Sequence, residues 1–395
     1  MKRSRRRAKL QDEYKIPKAG KSISISRRIL SNMLSLPTAP FAEHDVIRFV
    51  GDFCRRRKNV TLRSDRAGNI LVRVKIGNRR IKRPVCITAH LDHPGFVSDR
   101  PLGKGRIRAL WRGGVPPEYF ADAKVQFNVN GQWIKGRVVS TKTRVMDDRE
   151  RVDTAVIEVT GDVPAGSIGM WDFPDPVIRG DHIHARACDD LAGVAAMLCA
   201  IDQLVRERAS CDAYFLFTRA EEVGFVGAIA ACRLKTVPRN CFVVAMETSS
   251  ERPNAKIGDG PILRVGDRAS TFHHPATAYC HRIARELEQA GGGFRYQRKL
   301  MDGGTCESSA YCRLGYEATG ICVALGNYHN VDAKHRRLAP EYISLGDFRD
   351  VVRWFVELAR APHAYDGRDE QLDSRLRQLE SSYRKLLFAS VTRPK

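Results

Sequence analysis

The chain has 395 residues, 43% apolar and 28% charged, with 67 Lys and Arg against 45 Asp and Glu, a net charge of +22. This describes a globular protein of two domains, or one large domain carrying an insertion; no run approaches eighteen apolar residues, which excludes a membrane-spanning helix. No apolar run follows Met1-Lys2-Arg3-Ser4, so no secretory signal is expected, and eleven scattered cysteines without a CxxC pair predict reduced, buried thiols in a cytosolic protein.

In chain order, residues 1–28 hold eleven Lys and Arg against Asp12 and Glu13 and are predicted to be a disordered basic tail. Further basic runs follow at Arg55-Arg56-Arg57-Lys58 and Arg79-Arg80-Ile81-Lys82-Arg83. Nothing aromatic is interleaved with them, and no zinc-finger or helix-turn-helix pattern occurs. Nucleic acid is therefore not the expected partner, although the tail leaves it open. After Pro37-Thr38-Ala39-Pro40, Val46, Phe49, Val50 and Phe53 recur at helical spacing. Val60–Leu62 and Ile70–Val74 are strands around the turn Asp65–Asn69, and Val85–Ala89 is an apolar run typical of a sheet centre.

Residues 97–180 change character. Val125–Val129 and Trp133–Val139 alternate on either side of Asn130-Gly131, a strong hairpin signal, and Thr154–Val159 is another strand. The segment is read as an inserted small β-barrel or sandwich. Helix and strand then alternate: helix Leu191–Glu207, strand Ala213–Thr218, helix Val223–Leu234, strand Phe242–Met246, helix His274–Ala290, strand Ala318–Leu325 and helix Leu345–Arg360. Residues 367–388 read as a last amphipathic helix. The predicted fold is α/β, a mixed, mostly parallel sheet flanked by helices, with the β-domain inserted. The expected organisation is a tail at 1–28, a discontinuous catalytic domain at 29–96 and 181–366, the insertion at 97–180, and a C-terminal helix or tail at 367–395.

Ligands of an open α/β sheet bind beyond the carboxyl ends of its strands. His90-Leu91-Asp92-His93 follows Val85–Ala89; Asp189-Asp190 precedes the helix at Leu191; Glu221-Glu222 follows Ala213–Thr218; Glu247 ends Phe242–Met246; and Tyr328-His329 follows Ala318–Leu325. Singly each has an ordinary explanation, such as helix capping by Asp189 and Asp190. Together they put two imidazoles and several carboxylates on one rim. Mixed nitrogen and oxygen donors suit zinc, with cobalt or manganese as alternatives. Two histidines and three carboxylates suit two divalent ions sharing a bridging carboxylate. Asp92 is placed to reach the free ring nitrogen of His90. Of the neighbours Glu221 and Glu222, one can bind a metal while the other serves as general base.

The ordered set Ala89-His90-Leu91-Asp92, β-rich insertion, Ala187-Cys188-Asp189-Asp190-Leu191-Ala192-Gly193, Glu221–Ala228, Glu247, Gly303-Gly304-Thr305 and Tyr328-His329 resembles the dinuclear metallo-aminopeptidases, the family of tetrahedral, glutamyl and deblocking aminopeptidases. The likeness covers about residues 29–362. It implies two bound divalent metal ions, with His90 and Glu247 on one, Glu222 and His329 on the other, and Asp189 bridging. It further implies Glu221 as general base, Asp92 orienting His90, a cis peptide between Asp189 and Asp190, a peptide substrate and a homo-oligomer built through the β-domain. Glu247 stands where the family commonly has Asp, His93 where an acid is usual, Leu191 in place of a frequent Arg, and Cys306 in place of an acid. His93 is thereby a candidate for contact with metal or substrate, or for the pocket wall. His182 and His184 read as strand residues. Two other functions compete: an amidohydrolase or deacylase acting on small N-acyl substrates, and a non-catalytic basic binding protein.

Overall fold

In the computed structural model, which describes residues 19–146 and 149–391, α1 (Ala19–Leu34) and α2 (His44–Arg55) come first. Residues 1–18 of the expected tail lie outside the described residues. Residues 19–28 belong to α1, which corrects the reading of that stretch as disordered. The basic side chains hid an apolar face: Ile25, Ile29 and Met33 recur at i, i+4, and Ile29, Leu30, Met33 and Leu34 are buried.

β1 (Val60–Ser64) and β2 (Ile70–Ile76) are antiparallel around a turn held by Asp65, which accepts the N–H of Ala67 at 2.8 Å and of Asn69 at 3.0 Å. β3 (Val85–His90) is buried throughout. The inserted strands β4 (Gly95–Gly103), β5 (Arg106–Arg112), β6 (Lys124–Val129), β7 (Gln132–Met146), β8 (Arg149–Val159) and β9 (Ile168–Trp171) close into a barrel. Phe96, Trp111, Phe120, Phe127 and Trp171 fill it, with Phe96 and Trp111 ring centroids 4.6 Å apart. It is a packed core rather than a channel. β10 (Val177–Arg179) and β11 (His182–Ala185) lead back to the body, so His182 and His184 are strand residues.

The second half runs α3 (Leu191–Arg206), β12 (Cys211–Thr218), α4 (Val226–Arg233), β13 (Phe242–Ser250), β14 (Ile262–Asp267), α5 (His274–Ala290), β15 (Gln297–Met301), α6 (Glu307–Arg313) and β16 (Ala318–Leu325). It ends with the short β17 (Val331–Asp332) and β18 (Arg337–Leu338), then β19 (Glu341–Ser344), α7 (Leu345–Arg360) and α8 (Glu370–Ala389). The main sheet has the order β1-β2-β12-β3-β13-β16-β14-β15. β12, β3, β13 and β16 are mutually parallel, whereas β2 and β14 join antiparallel. Alternate residues serve opposite faces. Ile87, Ala89, Val244 and Met246 join one core with α1, α3, α5 and α7. Cys86, Val243 and Ala245 join another with residues of α4 and α6. This helix-covered parallel centre aims the carboxyl ends of four strands at one rim.

Candidate metal centre

His90 is the last residue of β3, and β12, β13 and β16 surround that strand end with their own termini. Thr218 on β12 pairs with His90, so the chain leaving β12 passes beside the imidazole. It does not enter a helix at once, as the apolar spacing from Val223 predicted. Phe225 takes a left-handed conformation, φ 56°, and its N–H and that of Gly224 bond back to the Glu221 carbonyl. Glu221 and Glu222 therefore sit on a tight turn, and α4 begins only at Val226. Close packing behind it requires Gly227, where a Cβ would lie 2.2 Å from the Arg219 carbonyl oxygen.

The fold brings the predicted residues together. His90 Nε2 lies 3.4 Å from Asp189 Oδ1 and 3.8 Å from Glu247 Oε2. On the far side, His329 Nε2 lies 3.1 Å from Glu222 Oε2 and 3.7 Å from Asp189 Oδ2. Asp189 thus turns one carboxylate oxygen to each imidazole. The Asp189–Asp190 peptide is cis, as the resemblance implied. His90, Asp189 and Glu222 each offer a donor atom within 4.8 Å of the others.

Five buried atoms here, His90 Nε2, Asp189 Oδ1, Glu222 Oε1, Glu247 Oε1 and His329 Nε2, have no hydrogen-bond partner. Each such orphan costs about 1–3 kcal/mol, more if charged, and buried polar atoms are ordinarily paired. Their convergence fits divalent cations, and the mixed nitrogen and oxygen donors fit zinc or its neighbours.

Electrostatics agree. Burial raises the Glu221 carboxyl well above its usual range, and the nearby Glu247, Glu222 and Asp92 carboxylates add to the effect. Burial, then Asp189 and Asp190, do the same to Glu247. Burial alone would lower the histidines, but Glu221, Asp189 and Asp92 hold His90 well up. Glu222 and Asp189 likewise hold His329 at about 9. The raised groups hold protons more tightly than free side chains do, so metal binding here competes with protons.

Asp92 lies two residues beyond the strand rather than on it. The atom nearest His90 Nδ1 is its backbone carbonyl oxygen, at 3.1 Å, and its carboxylate is 3.6 Å away. That carboxylate accepts the N–H of Glu221 at 3.0 Å and of Glu222 at 3.1 Å, so Asp92 fixes both the histidine and the glutamate turn. His93 points away from the cluster: Nδ1 meets the Asp189 carbonyl at 2.6 Å and Nε2 meets Asn330 Oδ1 at 3.1 Å. It braces the Asp189 backbone as part of the wall.

Several supports escaped the sequence reading. Buried Glu341 on β19 accepts the N–H groups of Cys188 (2.7 Å), Asp189 (3.0 Å) and His329 (2.8 Å), tying both halves of the cluster together. The Gly114 carbonyl, from the insertion, meets His329 Nδ1 at 3.0 Å and sets its tautomer. Thr248 donates to Asp190 at 2.8 Å, and a Cβ on Gly193 would lie 2.3 Å from Asp190 Oδ2. A backbone carbonyl leaves no mark in a sequence; Asn330, adjoining His329, was the one legible hint.

The sheet, the barrel and the acid–imidazole cluster together define an α/β peptidase. The family model described as M42 glutamyl aminopeptidase matches residues 68–339, and the chain belongs to that family, an enzyme that hydrolyses peptides. A curated protein of Acetivibrio thermocellus named "Putative aminopeptidase" is 25% identical over 315 residues, 75% of this chain and 87% of that protein. An aminopeptidase from the archaeon Desulfurococcus kamchatkensis superposes with TM-score 0.69 at 21% identity, covering 86% of this chain and 95% of that one. The Pyrococcus horikoshii TET1 peptidase, described as assembling into a tetrahedron or a large octahedral shell, gives TM-score 0.68 at 19% identity, covering 85% and 99%. These structures share the fold. No helix among the described residues is long and apolar enough to cross a membrane.

Proposed function

We propose that the chain removes N-terminal residues from peptides using two divalent metal ions, zinc by preference, with Glu221 as general base. The observation that carries the reading is Asp189, whose Oδ1 faces His90 and whose Oδ2 faces His329. Asp189 would be the shared ligand, His90 and Glu247 completing one site, Glu222 and His329 the other. When bound, the ions supply Lewis acidity that polarises the scissile carbonyl and lowers the pKa of the attacking water.

Glu221 shares its tight turn with Glu222, beside the two proposed ion sites. It accepts the proton of that water as attack proceeds and returns it to the departing amine. Asp92 holds the Glu221 and Glu222 turn, and Gly114 and Glu341 hold His329. The surrounding carboxylates also give the free α-ammonium of a peptide an anionic anchor. The assembly of the similar TET1 peptidase into a tetrahedron or octahedral shell supports a homo-oligomer here, and the free state of the eleven cysteines supports a reducing, cytosolic compartment. The domain division proposed is a catalytic body at 29–96 and 181–366, to which residues 19–28 of α1 belong, an inserted domain at 97–180 that carries most of the barrel, and the C-terminal helix beyond.

The test is substrate choice. Aminoacyl-anilides with a free amine are hydrolysed, with a chelator abolishing the activity, and N-acyl amino acids are not. Turnover of the N-acyl compounds alone would give the site to a deacylase, and turnover of neither would reject the proposal.

A further inference from the structure

Beyond residue 339, where the family match ends, α8 (Glu370–Ala389) stands outside the hydrophobic cores. Its N-terminus is capped by Asp369, which accepts the Leu372 N–H at 3.1 Å. Every side chain described along it is exposed. Among them are Leu372, Leu376, Leu379, Tyr383 and Leu386, between 41% and 67% exposed. Their steps are four, three, four and three residues, the spacing of the apolar seam of a coiled coil. A five-member apolar stripe on a charged helix is not a surface that water covers favourably.

The charges beside the stripe say what covers it. With Leu372, Leu379 and Leu386 at d and Leu376 and Tyr383 at a, the flanking e positions carry Asp373, Glu380 and the apolar Leu387, and the g position before Glu380 carries Arg375. In a parallel pair each g side chain meets the e side chain five residues on in the other helix. Arg375 then faces the partner's Glu380, twice by symmetry. An antiparallel pair would instead bring the acids Asp373 and Glu380 together across the seam, which costs rather than helps.

We propose that α8 pairs in parallel and in register with α8 of a second copy of this chain, burying the leucine seam and matching Arg375 to the partner's Glu380. The helix is about 30 Å long at 1.5 Å per residue. An isolated pair of such short helices is marginal, so the attached bodies matter, and the test uses the full chain.

Two cysteine substitutions test register and direction. Leu372→Cys lies at a d position near one end, where only a parallel, in-register pair brings it against its own copy; Ser374→Cys points outward. The wild-type thiols, ten buried and Cys312 partly so, set the background. Under mild oxidation the Leu372→Cys chain should form a covalent dimer at least roughly tenfold faster than the Ser374→Cys chain, because disulfides need Cα atoms within about 7 Å. Adding Arg375→Glu should slow that cross-linking, and adding Glu380→Arg to it should restore the rate. Equal rates for the two cysteines, or a rate untouched by Arg375→Glu, would overturn the proposal. So would retention of the helix on anionic phospholipid vesicles without cross-linking, since a lipid surface would then be its partner.

Discussion

Glu221→Gln should lower kcat by about 10²–10⁴-fold, the usual worth of a positioned general base, while leaving the metal content of the protein unchanged. Gln keeps the size and shape of Glu, and the backbone N–H of residue 221 still donates to Asp92, so the turn carrying Glu222 keeps its place. What disappears is basicity. The Gln amide has no carboxylate oxygen able to take up the proton of the attacking water. The check is steady-state kinetics on an aminoacyl-anilide beside elemental analysis of the same sample. Full turnover with metal retained would move the base elsewhere, and loss of metal would make Glu221 a ligand rather than a base.

Asp189→Ala should remove both ions and with them the activity. Each ion would lose the one ligand the two sites share. The several kcal/mol of charge stabilisation that metals give a transition state, at 1.36 kcal/mol per tenfold, correspond to a fall of about 10³-fold or more. Thermal unfolding separates this from misfolding. Ligands that bind only the native state stabilise it by about 2.7 kcal/mol at a hundredfold excess over Kd, so a chelator should lower the Tm of the wild type. The variant should be indifferent to chelator. It should still unfold cooperatively but somewhat below the chelated wild type, because, against the effect of burial, His90 and His329 hold the Asp189 carboxyl below its usual range and lose that partner. A variant whose Tm still falls with chelator, or which still hydrolyses peptides, would deny Asp189 the bridging place.

The cluster was legible because chemistry at a parallel sheet collects where strands end: His90 closes β3, His329 follows β16, and Glu247, read as ending its strand, lies near the end of β13, which runs on to Ser250. The core helices were legible too: α3, α5 and α7 carry unbroken apolar spacing over four turns. α1 was not, because Lys21, Arg27 and Arg28 dominate the composition of a stretch whose apolar face is only four residues deep. β14 and β15 escaped for different reasons. Arg264 and Gly266 interrupt Ile262–Asp267, and the buried Arg264 donates one guanidinium N–H to Ser249 Oγ at 3.0 Å. Gln297–Met301 is a polar edge strand, charged as exposed edges commonly are. The supports of the site were hidden by distance: Gly114 reaches His329 across 215 positions and Glu341 reaches Asp189 across 152. No local pattern encodes contacts that only tertiary structure creates.

An anomalous-difference map from crystals of the wild-type protein grown with zinc, collected at the zinc edge, tests the dinuclear account most directly. The account predicts two peaks per chain flanking the Asp189 carboxylate, one against His90 and Glu247 and the other against His329 and Glu222. A single peak, or none between those side chains, would contradict it.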